Sequence, residues 1–111
     1  FCEIIKGELS AERIAEEDSW LAVVDINPQA PVHVLIIPKK HFSSLDELNE
    51  NHRELLGELM LAVEKVARMT DIADSGYRVI INQKEDGGQL VPHFHIHLLG
   101  GKKLGEKIVN N

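Results

Sequence analysis

Apolar and polar residues fall into blocks along the chain that predict four strands. Short apolar runs, rich in β-branched residues and bounded by turn-forming residues, predict strands at residues 20–26, 33–37, 77–82 and 93–99. The first two runs are separated by NPQAP, in which two prolines exclude a central strand and favour a turn. A connection this short is typical of a hairpin, so we expect these two strands to be antiparallel.

The segment between the second and third runs has the apolar spacing of a helix. Apolar residues recur at i, i+3, i+4 and i+7 across residues 55–66, which predicts one long amphipathic helix that ends near residues 69–70. Asn51, three residues before an acid, offers an N-cap for this helix. Upstream, the SLDE stretch at 44–47 has the form of a capping box and predicts a short helix. We expect the Met and Leu stripe of the long helix to form core or subunit contacts.

The order of these elements indicates the fold class. Strands and helix do not alternate as they do in βαβ units, so we expect an α+β fold. In this fold an antiparallel sheet of about five strands carries the long helix and the short helix packed on it. A chain of 111 residues, 43% of them hydrophobic, is expected to form one domain over residues 1–111.

Charge and hydropathy restrict the classes of partner that the protein can bind. Twelve basic residues against eighteen acidic ones give a net charge of −6, which argues against binding to nucleic acid, because affinity for the phosphate backbone comes from clustered Lys and Arg. A small anionic ligand stays open, since a pocket can supply donors that net charge does not report. No apolar stretch approaches the ~20 residues that span a bilayer, and no signal-peptide pattern is present, so we expect no membrane association.

Cys2 is the one cysteine of the sequence, and it limits the redox chemistry. A single cysteine excludes an internal disulfide and fits a reducing compartment, so we expect a cytoplasmic protein. The chain opens at Phe1 rather than Met. If residues upstream hold another cysteine, Cys2 can be half of a C-x-x-C structural zinc site; otherwise it is a buried thiol.

Three histidines at every second position form the strongest candidate for chemistry. His93, His95 and His97 lie in the last predicted strand, where residues two apart share a face at a spacing of about 6.6–6.8 Å. The apolar residues between them then face the opposite side. A buried histidine without a function explains one such residue readily, but explains three in strict alternation poorly.

Two readings of this row stay open from the residue types. H-x-H on a strand can supply zinc ligands, with His33 as a further one, although the flanking strand offers no cysteine or carboxylate. Alternatively, a neutral imidazole can attack phosphorus if its other nitrogen donates to a backbone carbonyl, while neighbouring imidazoles donate to phosphate oxygens. The Gly87-Gly88-Gln89 loop can add backbone N–H donors for an anion.

The same residues carry a resemblance to a known family. HFHIHLLGG, preceded by DGGQ, resembles the signature of the histidine triad (HIT) family. FCEII at the start, DINPQAPVHVLIIPKKH at 25–41 and GYRVIIN before the loop extend the resemblance over nearly the whole chain. Together these motifs are most similar to the Hint branch, the nucleoside phosphoramidate hydrolases.

The resemblance implies a HIT domain and a nucleotide hydrolase that needs no cofactor and no metal at the triad. Its expected substrate is an AMP-like purine nucleoside 5′-phosphoramidate, cleaved through a nucleotidyl-histidine intermediate by a homodimer. His95 matches the nucleophile, His93 the residue that orients it, and His97 a contact to phosphate oxygen. His33 matches the family's fourth histidine, beside the nucleophile. The alternatives are a dinucleoside polyphosphate hydrolase of the Fhit type and a non-catalytic nucleotide-binding or scaffold module.

The resemblance also implies substrate contacts. Asp25 matches the residue that binds the ribose hydroxyls, with Ile26 beside it against the base, and Asn82 and the Gly88 backbone match the phosphate side. The apolar pocket around the purine is matched by Phe1, Ile4, Val23 and Leu35. Leu90 departs from the polar residue that many relatives have there, which puts assistance to the leaving group in doubt.

Overall fold

In the computed structural model, an antiparallel sheet of five strands organises residues 12–105, the part of the chain that the structure describes. The strands are β1 (Arg13–Glu16), β2 (Trp20–Val24), β3 (Val32–Pro38), β4 (Tyr77–Ile80) and β5 (Ile96–Gly100). Their order across the sheet is β1-β2-β3-β5-β4, and every neighbouring pair is antiparallel. The last strand of the chain is therefore inserted between β3 and β4.

The α+β fold that the sequence predicts is confirmed, with strand limits that differ from those expected: β3 is one residue longer at each end than the predicted 33–37. β2 and β4 each end two residues before the predicted limit, and β1 was not predicted. The largest difference is at the last strand, which we expected to begin at His93 and which begins at Ile96. The pairing of β5 with both of its neighbours ends near this point. Ile96 pairs with Ile36 of β3, and His97 pairs with Ile80, the last residue of β4.

The long helix, α1 (Arg53–Met69), ends where the periodicity predicts. Its start is different, because the N-cap expected at Asn51 is wrong. The Asn49 side chain accepts the Asn51 N–H and opens a 3-10 turn, Glu50–His52, from which α1 continues. The short helix predicted upstream is a single 3-10 turn, Leu45–Glu47.

The helix covers one face of the sheet, and the core lies between them. This layer combines residues of α1 with alternate residues of the strands; its buried members include Ala22, Val34, Ile36, Leu59, Val63, Val66, Phe94, Ile96 and Leu98. Phe94, Ile96 and Leu98 thus face the apolar layer, as the alternation predicts. No helix in residues 12–105 is long and apolar enough to cross a membrane.

The other face of the sheet carries the histidines. A second buried cluster on it consists of Leu21, Val23, Leu35 and Ile37. Residues paired across antiparallel strands share a face. His97 pairs with Leu35, and His33 precedes Leu35 by two positions on β3, so both imidazoles lie on the face opposite α1.

Candidate active site

Three imidazoles meet on the face of the sheet opposite α1. The distance from His33 Nε2 to His97 Nδ1 is 3.0 Å. The ring centroids of His95 and His97 lie 4.9 Å apart, and the rings are tilted edge to face. The structure therefore brings His33, His95 and His97 into one continuous cluster, in which His97 is the central ring.

His93 has partners of its own, which differ from those of His33 and His97. Its side chain is 2% exposed, and its Nε2 donates to the carbonyl of Pro38 at 3.0 Å. Its ring meets that of His41 edge to face, with centroids 4.7 Å apart. The expectation that His93 lies in the last strand is wrong, because the chain before Ile96 is outside the ladder and is held by other contacts, such as Phe94 N–H to the carbonyl of residue 42. His93 instead acts on the cluster through its backbone.

The carbonyl of His93 sets the tautomer of His95. Nδ1 of His95 lies 2.8 Å from this oxygen, and a carbonyl can only accept, so Nδ1 carries the proton. In the neutral ring the lone pair is then on Nε2. This arrangement meets the condition that the sequence reasoning set for an attacking imidazole.

A backbone N–H sets the tautomer of His33 in the opposite sense. The Gln29 N–H donates to His33 Nδ1 at 3.0 Å, so the proton of the neutral His33 ring is on Nε2. Burial lowers the pKa of His33 below its ordinary value, and the nearby charge of Asp25 partly offsets that effect. His33 is therefore a neutral ring that donates from Nε2.

The hydrogen bond from His33 sets the tautomer of His97. Its Nδ1 faces the His33 Nε2–H, so Nδ1 accepts and the proton of the neutral ring lies on Nε2. Burial lowers the pKa of His97, the positive charges that His95 and His33 carry when protonated lower it further, and Asp25 raises it. His97 is half-buried and presents a ring N–H donor beside the His95 ring.

Asp25 supplies a carboxylate to this cluster, where the sequence analysis expected none from the flanking strand. Its N–H donates to the carbonyl of His33 at 2.9 Å, which continues the β2–β3 pairing beyond Val24. This places Asp25 Oδ2 3.3 Å from His33 Nε2. The statement that the histidines have no carboxylate nearby is therefore wrong, and only the exact hairpin register could have revealed it.

The diglycine loop has structural reasons for its composition. A Cβ on Gly87 would lie 2.3 Å from the carbonyl oxygen of Gln83, and Gly88 has φ +78°, which favours glycine. The Gly88 N–H, expected to bind phosphate, donates to the carbonyl of Glu85 at 3.0 Å. In this structure that N–H is used within the turn, so the expected anion cradle is not formed by it.

The remaining residues that we expected to contact the substrate differ in their exposure to solvent. Val23 is 1% exposed and Leu35 is 8% exposed, and both lie in the buried cluster on the histidine face of the sheet. Ile26 is 87% exposed beside Asp25, and half-buried Asn82 lies just beyond β4. Leu90 is 93% exposed. Three further expected positions lie outside the described residues: Phe1, Cys2 and Ile4.

Comparisons with known proteins agree with the geometry. A family profile described as HIT domain matches residues 6–104. The chain is 38% identical over 110 residues to the purine nucleoside phosphoramidase of Escherichia coli K12, covering 99% of this chain and 92% of that protein. It is also similar to the solved structure of a HIT family hydrolase from Clostridium thermocellum, with 48% identity, a TM-score of 0.93, and coverage of 98% and 95% of the two chains. A HIT family hydrolase from Legionella pneumophila gives 42% identity and a TM-score of 0.91, with coverage of 95% and 94%.

Proposed function

Because the chain belongs to the HIT family, we propose that it hydrolyses purine nucleoside 5′-phosphoramidates through a nucleotidyl-histidine intermediate. The observation that carries the proposal is the bond from His95 Nδ1 to the carbonyl of His93, which directs the lone pair of the ring to Nε2. The name of the E. coli relative, purine nucleoside phosphoramidase, supports the substrate class.

In the first step His95 Nε2 attacks the α-phosphorus. A P–N bond to the ring forms, the P–N bond to the leaving group breaks, and the leaving nitrogen takes up one proton through the imidazole cluster. The ring becomes positively charged, and the carbonyl of His93 stabilises that charge through Nδ1–H. His97 donates its Nε2–H to a phosphate oxygen and so stabilises the charge that develops there.

In the second step water attacks the phosphorus of the intermediate. An O–H bond of the water breaks, and its proton returns to the imidazole cluster in place of the one given to the leaving nitrogen. The P–N bond to His95 breaks at the same time, which releases a nucleoside 5′-monophosphate and restores the neutral ring. Asp25 binds the ribose hydroxyls, Ile26 covers the base, and Asn82 faces the phosphate side. The purine pocket is completed by Phe1, Ile4, Val23 and Leu35. Gly88 contributes through its backbone only if its turn opens, since its N–H donates to Glu85.

The test is mass spectrometry of the protein mixed with an AMP amide. We expect a nucleotidyl adduct on His95, and we expect His95→Ala to lose turnover while it still binds AMP. His52→Ala, in the 3-10 turn before α1, is the matched control and should keep full turnover. Unchanged turnover in His95→Ala would overturn the covalent mechanism. Clear preference for a diadenosine polyphosphate in a parallel assay would favour the Fhit-type activity instead.

We also propose that the protein is a homodimer, that it is cytoplasmic and that it needs no cofactor. The dimer is supported by the exposed edge of β4, where Tyr77 is 37% and Val79 40% exposed. These side chains share the α1 face of the sheet, and two methionines of that helix, Met60 and Met69, are about half exposed. An unpaired strand edge with apolar neighbours is a suitable surface for a second copy.

Light scattering of the protein in solution measures this assembly. We expect twice the chain mass for the wild type and the single chain mass for Val79→Lys, which introduces a charge at the edge. A wild-type protein of single chain mass would contradict the dimer.

A further inference from the structure

The two carboxylate oxygens of Asp25 have different partners. Oδ1 accepts the Asn27 N–H at 2.8 Å, and Oδ2 lies 3.3 Å from His33 Nε2. The side chain is only 16% exposed. A carboxylate has about four lone-pair positions, so two remain for hydroxyl groups after these two contacts. The ribose role therefore leaves the contact with His33 unexplained.

The hydrogen bonds around His33 determine which ring nitrogen carries its proton. The Gln29 N–H occupies Nδ1, which leaves His33 a single ring proton, on Nε2. That proton is shared with His97 Nδ1, 3.0 Å away, and Asp25 Oδ2 lies 3.3 Å from the same nitrogen as an ion-pair contact. The hydrogen bond to His97 and the negative charge of Asp25 therefore favour the same orientation of the His33 ring.

The same three side chains also have the spacing of a metal site. The ligand atoms of Asp25, His33 and His97 all lie within 4.8 Å of one another. A metal at His33 Nε2 would need the ring proton on Nδ1, because a histidine ligand normally donates from its other nitrogen. The Gln29 N–H already points at Nδ1, and two donors cannot share that position. The set therefore favours hydrogen bonding over metal binding.

We infer that Asp25 is a positioning residue for His97, acting through the His33 imidazole, in addition to its contact with ribose. The inference rests on the proposed function. The charge of the carboxylate, 3.3 Å from His33 Nε2, favours the orientation of the His33 ring in which Nε2–H donates to His97 Nδ1. That N–H in turn holds His97 with its own Nε2–H towards the phosphate. The ribose-binding residue and the phosphate-binding ring are thus linked through one buried histidine.

The charges of the site agree with this link. Asp25 raises the pKa of both His33 and His97, against the effect of burial, which lowers both. The other titratable group that faces His97 is His95. Removal of the carboxylate charge should therefore lower the pKa of both His33 and His97 further.

Asp25→Asn separates the two roles when it is combined with a substrate that lacks the ribose hydroxyls. Asn has the size of Asp and can still accept the Asn27 N–H through its oxygen, but it then turns an NH₂ group towards His33 Nε2–H. The substrates are an adenosine 5′-phosphoramidate and its 2′,3′-dideoxy analogue. Asp18→Asn, in the exposed turn between β1 and β2, is the matched control.

We expect Asp25→Asn to lower kcat about tenfold on both substrates, because His33 and His97 lose the adjacent negative charge that orients them. The acid limb of its pH profile should move to lower pH, because the histidines lose an anion that favours their protonated forms. Asp18→Asn should match the wild type. If Asp25→Asn and the wild type turn over the dideoxy substrate at the same rate and with the same pH profile, Asp25 acts through ribose alone and the inference is wrong.

Two measurements on the folded protein test the link without turnover. Nitrogen-15 NMR of the histidine side chains should show His33 and His97 as Nε2–H tautomers, and a lower pKa of His97 in Asp25→Asn. A His33 ring protonated on Nδ1, or stoichiometric Zn²⁺ inhibition that Asp25→Asn relieves, would overturn the inference in favour of a metal site. A wild type that cleaves no phosphoramidate would refute the proposed function, whereas the NMR result would still report on the positioning.

Discussion

Gln89 connects the diglycine loop to the chain on both sides of it, and its removal should weaken both stability and turnover. Its Oε1 accepts the Lys84 N–H at 2.8 Å. Its Nε2 donates to the carbonyls of Ser43 at 2.9 Å and Val91 at 3.1 Å. These three bonds fix the loop just before the histidine segment, and Gln89→Ala removes all of them.

The size of the effect follows from the number of bonds and their burial. Each hydrogen bond contributes about 0.5–1.5 kcal/mol to stability, and the half-buried position allows water to replace part of that. We therefore expect Gln89→Ala to lower the free energy of unfolding by about 1–2 kcal/mol, or the Tm by about 5–10 °C. Because the loop leads directly into the histidine segment, we also expect kcat/KM to fall about tenfold.

Urea unfolding and turnover of an AMP amide measure the two effects separately. Gln89→Glu is the matched variant, since it keeps an acceptor for the Lys84 N–H but loses both donated bonds. It should retain only part of the wild-type stability. The reasoning is refuted if Gln89→Ala has wild-type stability and wild-type kcat/KM.

Three further outcomes are expected. The pKa values of His33, His93 and His97 are lowered by burial from an ordinary 6.5, so the unfolded chain binds more protons than the folded one as the pH falls. Stability should be constant above about pH 6.5 and should decrease below it in urea titrations; an increase on acidification would contradict this assignment. Gly87→Ala should lower the stability of the protein by about 1–3 kcal/mol, because the new Cβ meets the loop backbone. Gly57→Ala, where no atom lies near the new Cβ in α1, should raise the stability by up to about 1 kcal/mol. Equal unfolding midpoints for the two variants would argue against the close contact at Gly87. Exhaustive chelation should leave turnover unchanged, and a loss restored by Zn²⁺ would indicate a metal enzyme.

The elements that could be predicted from the sequence are those with a strong local pattern. The helix could be predicted because its apolar period is unbroken up to Met69. The alternation of apolar residues with histidines predicted that Phe94, Ile96 and Leu98 face the apolar layer, and they do lie in the core. The sequence RIAE of β1 has only two apolar residues, and pairing with β2 rather than local preference makes it a strand.

The parts of the site that could not be predicted depend on tertiary register. Asp25 meets His33 only because the hairpin pairs Val24 with Val34, and the turn between the strands decides that register. The position of His93 depends on the carbonyl of Pro38, which is distant in the sequence. The alternation of residues therefore indicated which side of the chain carries the imidazoles, but not the contacts that hold them.

The start of β5 at Ile96 has a consequence for motion. His97 is paired on both sides, with β3 and with β4, whereas His95 lies just outside the ladder. The backbone of the proposed nucleophile therefore lies at the end of the ladder, whereas that of His97 lies within it. Amides within such a ladder exchange only through large openings, and amides next to it exchange through local ones. Hydrogen exchange should therefore be faster at the amide of His95 than at that of His97, which places the boundary between local and large openings inside the histidine motif.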